Sequence, residues 1–220
     1  MTALDALGAT EWCLRGRNRT TPVPLAAFLC MWFTSVMSPE QSQTLAAEIE
    51  DASRRARTLV EGLDVTSLTR RPSLASWSIA ECLQHLVITS RSMRPLIEAA
   101  LSEVERKGAR SAAPSGLGFL GWMLVKMLEP PARFKTKTTP SFVPVQVPDP
   151  MQVAATLCEE NNLLIALARR GTGLNTASTT IVSPFNAAAK YNAYAAFRIT
   201  AVHLRRHIWQ AEQARAPIAA

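Results

Sequence analysis

The stretch His203-Leu204-Arg205-Arg206-His207 sets two imidazoles four residues apart. On a helix that spacing stacks both rings on one face, one turn apart, where they can share a metal ion. The chain has three histidines in all. The third, His85, falls in Trp77-Ser78-Ile79-Ala80-Glu81-Cys82-Leu83-Gln84-His85-Leu86, which also reads as helix. The expectation is that the fold gathers the three imidazoles onto one divalent metal. No cysteine or carboxylate lies at an obvious fourth-ligand spacing, so one coordination position should stay open, the pattern of catalytic rather than structural sites. Zinc, nickel and ferrous iron all accept neutral imidazole. The chemistry would be activation of water for hydrolysis, or ionisation of an incoming thiol. An HxxxH pair alone is weak evidence, and an inward histidine is usually a core residue. Here every histidine is used, each on a strong helical pattern and on a face rich in apolar residues. Leu204 replaces the glutamate of HExxH, which disfavours a metalloprotease of that type.

Neighbouring residues are read with the same spacing rule. Gln210 lies three after His207 and seven after His203, on the same face, where it would orient a ligand ring or a water. Glu81 sits one turn before His85 and could buttress its ring. Ser78 and Glu81 also have the spacing of a capping box, and that reading is preferred. Trp77, Trp122 and Trp209 read as core or cap residues. Arg205 and Arg206 are expected to point away from the histidine face into solvent. Tyr191 and Asn192 are expected to begin a ladder of turns leading to His203 and to line a pocket.

Four long helices are needed to position these groups. The first is expected over about Pro39 to Leu63, opened by Ser38 and Pro39, with Leu45, Ile49, Ala52, Ala56, Leu59 and Val60 as its apolar stripe. Asp64 to Ser76 reads as a loop. The second helix starts at Ser78 and frays near Gly108, with His85 inside its apolar stripe. Gly108 to Pro148 reads as a long connection carrying a short apolar helix over Leu117 to Leu128, too short to span a bilayer. The third helix is placed over about Asp149 to Arg170, stopped by Gly171-Thr172-Gly173. Thr176 to Ser183 reads as extended. The fourth helix is placed over about Asn186 to Ala214. A connection as long as that between the second and third helices suits a crossover rather than a hairpin.

Composition agrees with an all-α chain. Of 220 residues, 48% are hydrophobic but only 6% aromatic, an Ala/Leu-dominated set that favours packed helices. The length suffices for one domain with a substantial core. The formal net charge of +7 is spread in ones and twos, so it reads as a solvated surface, with an anionic small-molecule substrate as the weaker alternative. Aromatic-plus-basic clusters are absent, which ranks nucleic-acid binding last. None of Cys13, Cys30, Cys82 and Cys158 forms a CxxC pair, and a reducing cytoplasm is the expected compartment. Residues 1–36 differ from the rest. Arg15, Arg17 and Arg19 precede an apolar run from Leu25 to Val36, resembling a signal peptide without its cleavage site. Met37 is the preferred true start, with 1–36 expected to be a peripheral or disordered extension and 37–216 the domain.

Trp-Ser-x-x-Glu-x-x-x-His-Leu over Trp77 to Leu86, followed by His-x-x-x-His-x-x-Gln over His203 to Gln210, resembles the DinB/YfiT-like superfamily. The resemblance covers roughly Ser38 to Ala214. It implies a four-helix bundle in up-down-down-up order, with a long crossover between helices 2 and 3. It also implies a divalent metal on His85, His203 and His207. Relatives include transferases and isomerases using low-molecular-weight thiols and metal-dependent hydrolases, so the expected partner is a small-molecule substrate, with no nucleic acid and no membrane. A non-catalytic stress-related binding bundle or dimerisation module, including a homodimer, is the alternative, because no convincing general base stands beside the histidines.

Overall fold

The computed structural model describes residues 35–108, 113–131 and 137–216. Within these the chain is mostly helical, with little sheet. The expected N-terminal extension, with Cys13 and Cys30, lies outside the described residues except at its end. There Ser35–Val36 forms β1, paired in parallel with β2, Ala113–Pro114. Met37 is fully buried, and its backbone bonds to Gly173 and Leu174.

Helix α1, Pro39–Val60, begins on a complete capping box. Ser38 Oγ accepts from the Gln41 N–H, and Gln41 Oε1 accepts from the Ser38 N–H. Its stripe Leu45, Ile49, Ala52, Ala56 and Leu59 is buried. The helix ends at Val60 rather than Leu63, because Gly62 takes a left-handed φ of 74° that the following turn requires. The expected loop after it contains a short helix, α2, Val65–Thr69, capped by Asp64 and anchored by buried Leu68.

Helix α3, Ile79–Lys107, is opened by the Ser78/Glu81 capping box and closed by Gly108 at φ 64°. Helix α4, Gly118–Leu128, lies in the long connection that follows. It packs on α6, Ala193–Arg215, through a close approach at Gly121. A Cβ at Gly121 would sit 2.6 Å from Ala195 Cβ. Because Ala195 Cβ cannot swing aside, Gly121→Val should push α4 off α6 at a cost of about 1–3 kcal/mol, read as a lower midpoint in thermal denaturation. An unchanged midpoint would show that the two helices do not meet there. The outer side of α4 leaves Phe119 and Trp122 in solvent.

Helix α5 covers Val153–Arg170, starting later than expected. The Asp149 carboxylate is engaged by the Met151 and Gln152 N–H groups, so Asp149-Pro150 forms the turn before the helix rather than its cap. The expected inner face, from Val153 to Ala168, is buried, including Asn161, whose amide donates to Ser53 Oγ at 2.8 Å. Helix α6 also starts later than expected. The turn at Asn186 closes a small hairpin of β3, Ile181–Val182, and β4, Lys190–Tyr191, and Asn192 then caps α6 through the Ala195 N–H. Tyr191 therefore belongs to a strand and Asn192 to the cap, not to a helical ladder, although Tyr191 does line a cavity as expected.

Side-chain contacts give the register between helices. Ser42 meets Ala168 while Asn161 meets Ser53, so numbering falls along α5 as it rises along α1. Arg198 pairs with Glu48 and Arg55 with Glu212, so α6 and α1 rise together. Arg91 pairs with Glu160 and Arg170 with Glu105, so α3 and α5 also rise together. α3 packs against α6 as well. Among the described residues no helix is long and apolar enough to cross a membrane.

Candidate metal centre

The contact between α3 and α6 brings the three histidines together. His85 stands seven residues past Ser78, so the capping box fixes both the entry of α3 and the place of Trp77 just before it. The Trp77 ring lies 4.9 Å from that of His85 and 5.9 Å from that of His207. The imidazole centroids of His85 and His203 are 5.1 Å apart, those of His85 and His207 4.4 Å, and those of His203 and His207 4.5 Å. One nitrogen from each ring falls within 4.8 Å of the others, a set able to hold a metal ion. No cysteine or carboxylate joins the cluster among the described residues.

Two outer hydrogen bonds decide which nitrogens face inward. His85 Nδ1 lies 2.7 Å from the Phe142 carbonyl, which can only accept, so Nδ1 carries the proton and the Nε2 lone pair is left toward the cluster. Phe142 comes from a single 3₁₀ turn, Pro140–Phe142, in the long connection. His207 Nδ1 lies 2.9 Å from Gln210 Oε1, which likewise leaves Nε2 inward. His85 Nε2 and His203 Nε2 are 3.4 Å apart. Two nitrogens bound to one tetrahedral zinc at its usual bond length stand about 3.3 Å apart, so the His85 and His203 donors are spaced as one such ion requires.

Electrostatics suits the same use. Burial pushes the His203 imidazole down to about 3, with the charges of His85 and Arg206 adding to the shift. Burial also holds His207 well below the ordinary histidine value, helped by His203 and His85, and it lowers His85 against the opposing pull of the Phe142 carbonyl. Neutral imidazole is the form that binds a metal. The rings line a cavity of about 930 Å³, large enough for a small organic molecule.

A family model for the DinB superfamily matches residues 48–211, about three quarters of the chain. The chain belongs to the DinB superfamily. Comparisons with curated proteins and with solved structures found no match. In this DinB-superfamily chain the matched segment contains all three histidines and Gln210.

Glu81 takes the preferred capping role, and several other neighbours differ from what spacing suggested. The Glu81 carboxylate accepts from the Ser78 N–H and from Arg71 Nε, each at 2.8 Å, and the carbonyl of Phe142 takes the place at the His85 ring. Arg206 is not solvated. It is 8% exposed, reaches the Met127 carbonyl at 3.4 Å and forms part of the cavity wall. The approach of α4 and the long connection covers that side of α6, which helical periodicity taken alone leaves bare. Arg205 pairs with Glu129 at 2.7 Å. Trp77 packs against the core as expected and also lines the cavity, and Trp209 lines the cavity too. Phe142, Phe185 and Lys137 reach the cavity from irregular segments, where no periodic signal marks them.

Gln210 gives a direct test of ring orientation. Gln210→Leu keeps the bulk but removes the acceptor from His207 Nδ1, and it should weaken metal affinity about tenfold or more. Competition against a chromogenic chelator reads the change. Unaltered affinity would show that the hydrogen bond does not orient the ring.

Proposed function

We propose that this protein is a metal-dependent enzyme in which His85, His203 and His207 hold one divalent ion, zinc, nickel or ferrous iron. The reading extends to a small-molecule substrate processed either by hydrolysis or by transfer of a low-molecular-weight thiol. The observation that carries it is the convergence of three inward-facing imidazoles on the wall of a large cavity, with no carboxylate among the described residues to complete the ligand set. A bound ion would supply Lewis acidity, making a water or a thiol a nucleophile near neutral pH. The chain's own residues do the positioning. The Phe142 carbonyl and Gln210 hold the His85 and His207 rings in one tautomer. Trp77 packs on two of the rings, and Phe185 flanks His203 at 6.1 Å. Apolar residues such as Leu124, Leu128 and Phe142 line part of the cavity, and an apolar wall of low dielectric strengthens electrostatic interactions beside it.

We also propose that residues 37–216 form the functional domain and that α1, α3, α5 and α6 make an up-down-down-up four-helix bundle. The registers support it. α1 runs with α6 and against α5, while α5 runs with α3. The long connection carrying α4 would then be the crossover between the second and third bundle helices.

Metal-loaded protein should be screened with ester and amide substrates, and with low-molecular-weight thiols paired with electrophiles. The expected result is turnover that disappears on chelation and in His203→Ala. Turnover unaffected by chelation would overturn the proposal. A fully loaded protein inactive on every pair would favour the binding-module reading instead.

A further inference from the structure

Helix α4 is apolar on every side but covered on only part of it. Of its 11 residues, Gly118–Leu128, Lys126 alone is charged. Gly121 and Val125 are buried, and Leu124 and Leu128 line the cavity. On the outer side Phe119, Trp122, Met123, Lys126 and Met127 follow one another at helical spacing, and all are exposed. Phe119 is 79% exposed and Trp122 51%. Their ring centroids lie 6.3 Å apart, so the aromatic end of the stripe is continuous. A helix that is apolar all round is ordinarily buried, and a continuous exposed apolar stripe marks a surface that meets something.

Charge decides what that is. The connection that carries α4, residues 108–148, holds Arg110, Lys126, Arg133, Lys135 and Lys137 against a single acid, Glu129. That acid is paired with Arg205 at 2.7 Å. The whole chain has a net charge of +7. Two-fold pairing of copies would set the Lys126 face against itself, so like charges would meet. An anionic lipid surface attracts the same residues instead. Tryptophan and phenylalanine settle at the boundary between headgroups and acyl chains, and a lysine stem lies along apolar surface with its ammonium held in the polar layer. A helix of 11 residues is too short to span a bilayer. Lying in the plane of the interface requires no such length, so the expectation of no membrane contact does not extend to this mode.

We propose that the outer face of α4 docks this protein onto anionic lipid bilayers, with Phe119, Trp122, Met123 and Met127 at the headgroup boundary and Lys126 among the headgroups. The docking is independent of any ion at the histidines.

The test is cosedimentation of the full chain with vesicles of phosphatidylcholine alone and of phosphatidylcholine and phosphatidylserine in equal parts. Binding to the mixed vesicles should be about tenfold stronger or more and should weaken as salt rises. The double variant Phe119→Ser, Trp122→Ser should lose about tenfold or more in affinity, and Lys126→Glu about fivefold or more. Trp122→Phe should bind like the wild type but lose most of the quenching of tryptophan emission by brominated lipid. Should the double variant not fold, that difference in quenching still decides the matter. Binding to neither vesicle, equal binding to both, or quenching unchanged in Trp122→Phe would each overturn the proposal. Unchanged binding by the double variant would also overturn it, assigning lipid contact to another segment such as the apolar run from Leu25 to Val36. A wild-type protein that ignores vesicles but sediments as a dimer, made monomeric by the double variant, would give the face to a second copy and overturn lipid docking.

Discussion

Returning zinc to chelator-stripped protein is expected to raise its melting temperature by about 10 °C, and His203→Ala is expected to abolish that rise. An ion at a thousand times its dissociation constant stabilises the folded state by about 4 kcal/mol, and a domain of this size gains roughly 2–4 °C per kcal/mol. His203 is the residue to remove because its ring neighbours both others, at 5.1 Å from His85 and 4.5 Å from His207, and its Nε2 stands 3.4 Å from His85 Nε2. Two imidazoles left on different helices lack the ligand count of a tight zinc site. A zinc-dependent rise in His203→Ala equal to that of the wild type would show that the ion binds elsewhere.

The second large effect concerns the helix that carries two of the ligands. Phe197 is 1% exposed and ranks among the largest fully buried side chains. It lies on α6 less than two turns before His203. Phe197→Ala should cost about 3–5 kcal/mol through lost burial and the cavity left behind. Chemical denaturation should show a lower midpoint at an unchanged slope. The variant should still bind its ion, because the ring supports the helix without touching the ligands' outer hydrogen bonds. A loss under about 1 kcal/mol would mean that the core around α6 closes over the gap. Failure of folded variant to bind metal would tie the geometry of the site to core packing more tightly than these contacts suggest.

What was legible in the sequence follows the periodicity. The stripe of α1, the capping box ahead of α3 and the inner face of α5 are local patterns, and each is found buried or capped. Helix ends were less legible where turn chemistry competes with helical spacing. Asp149 looked like a cap but holds a turn, and the segment from Asn186 to Tyr191 looked helical but closes a hairpin. The α2 helix was missed because Asp64 is a cap followed by too few residues to show a period. Within the site, residues spaced along α6 could be placed on a face, whereas Phe142 could not. Its contribution is a backbone carbonyl, which every residue has, delivered from an irregular connection. Arg206 was misplaced for a related reason. Its position on α6 said which way it leaves the helix, but not that α4 and the connection would cover it.

The convergence of three imidazoles matters only if they act on one ion. Metal analysis by mass spectrometry of protein expressed in metal-replete medium, with His85→Ala, His203→Ala and His207→Ala in parallel, tests this most directly. About one divalent ion per wild-type chain is expected, and a small fraction of that in each folded variant. Wild-type protein without stoichiometric metal, or a His85→Ala variant that keeps its full complement, would contradict a single shared ion.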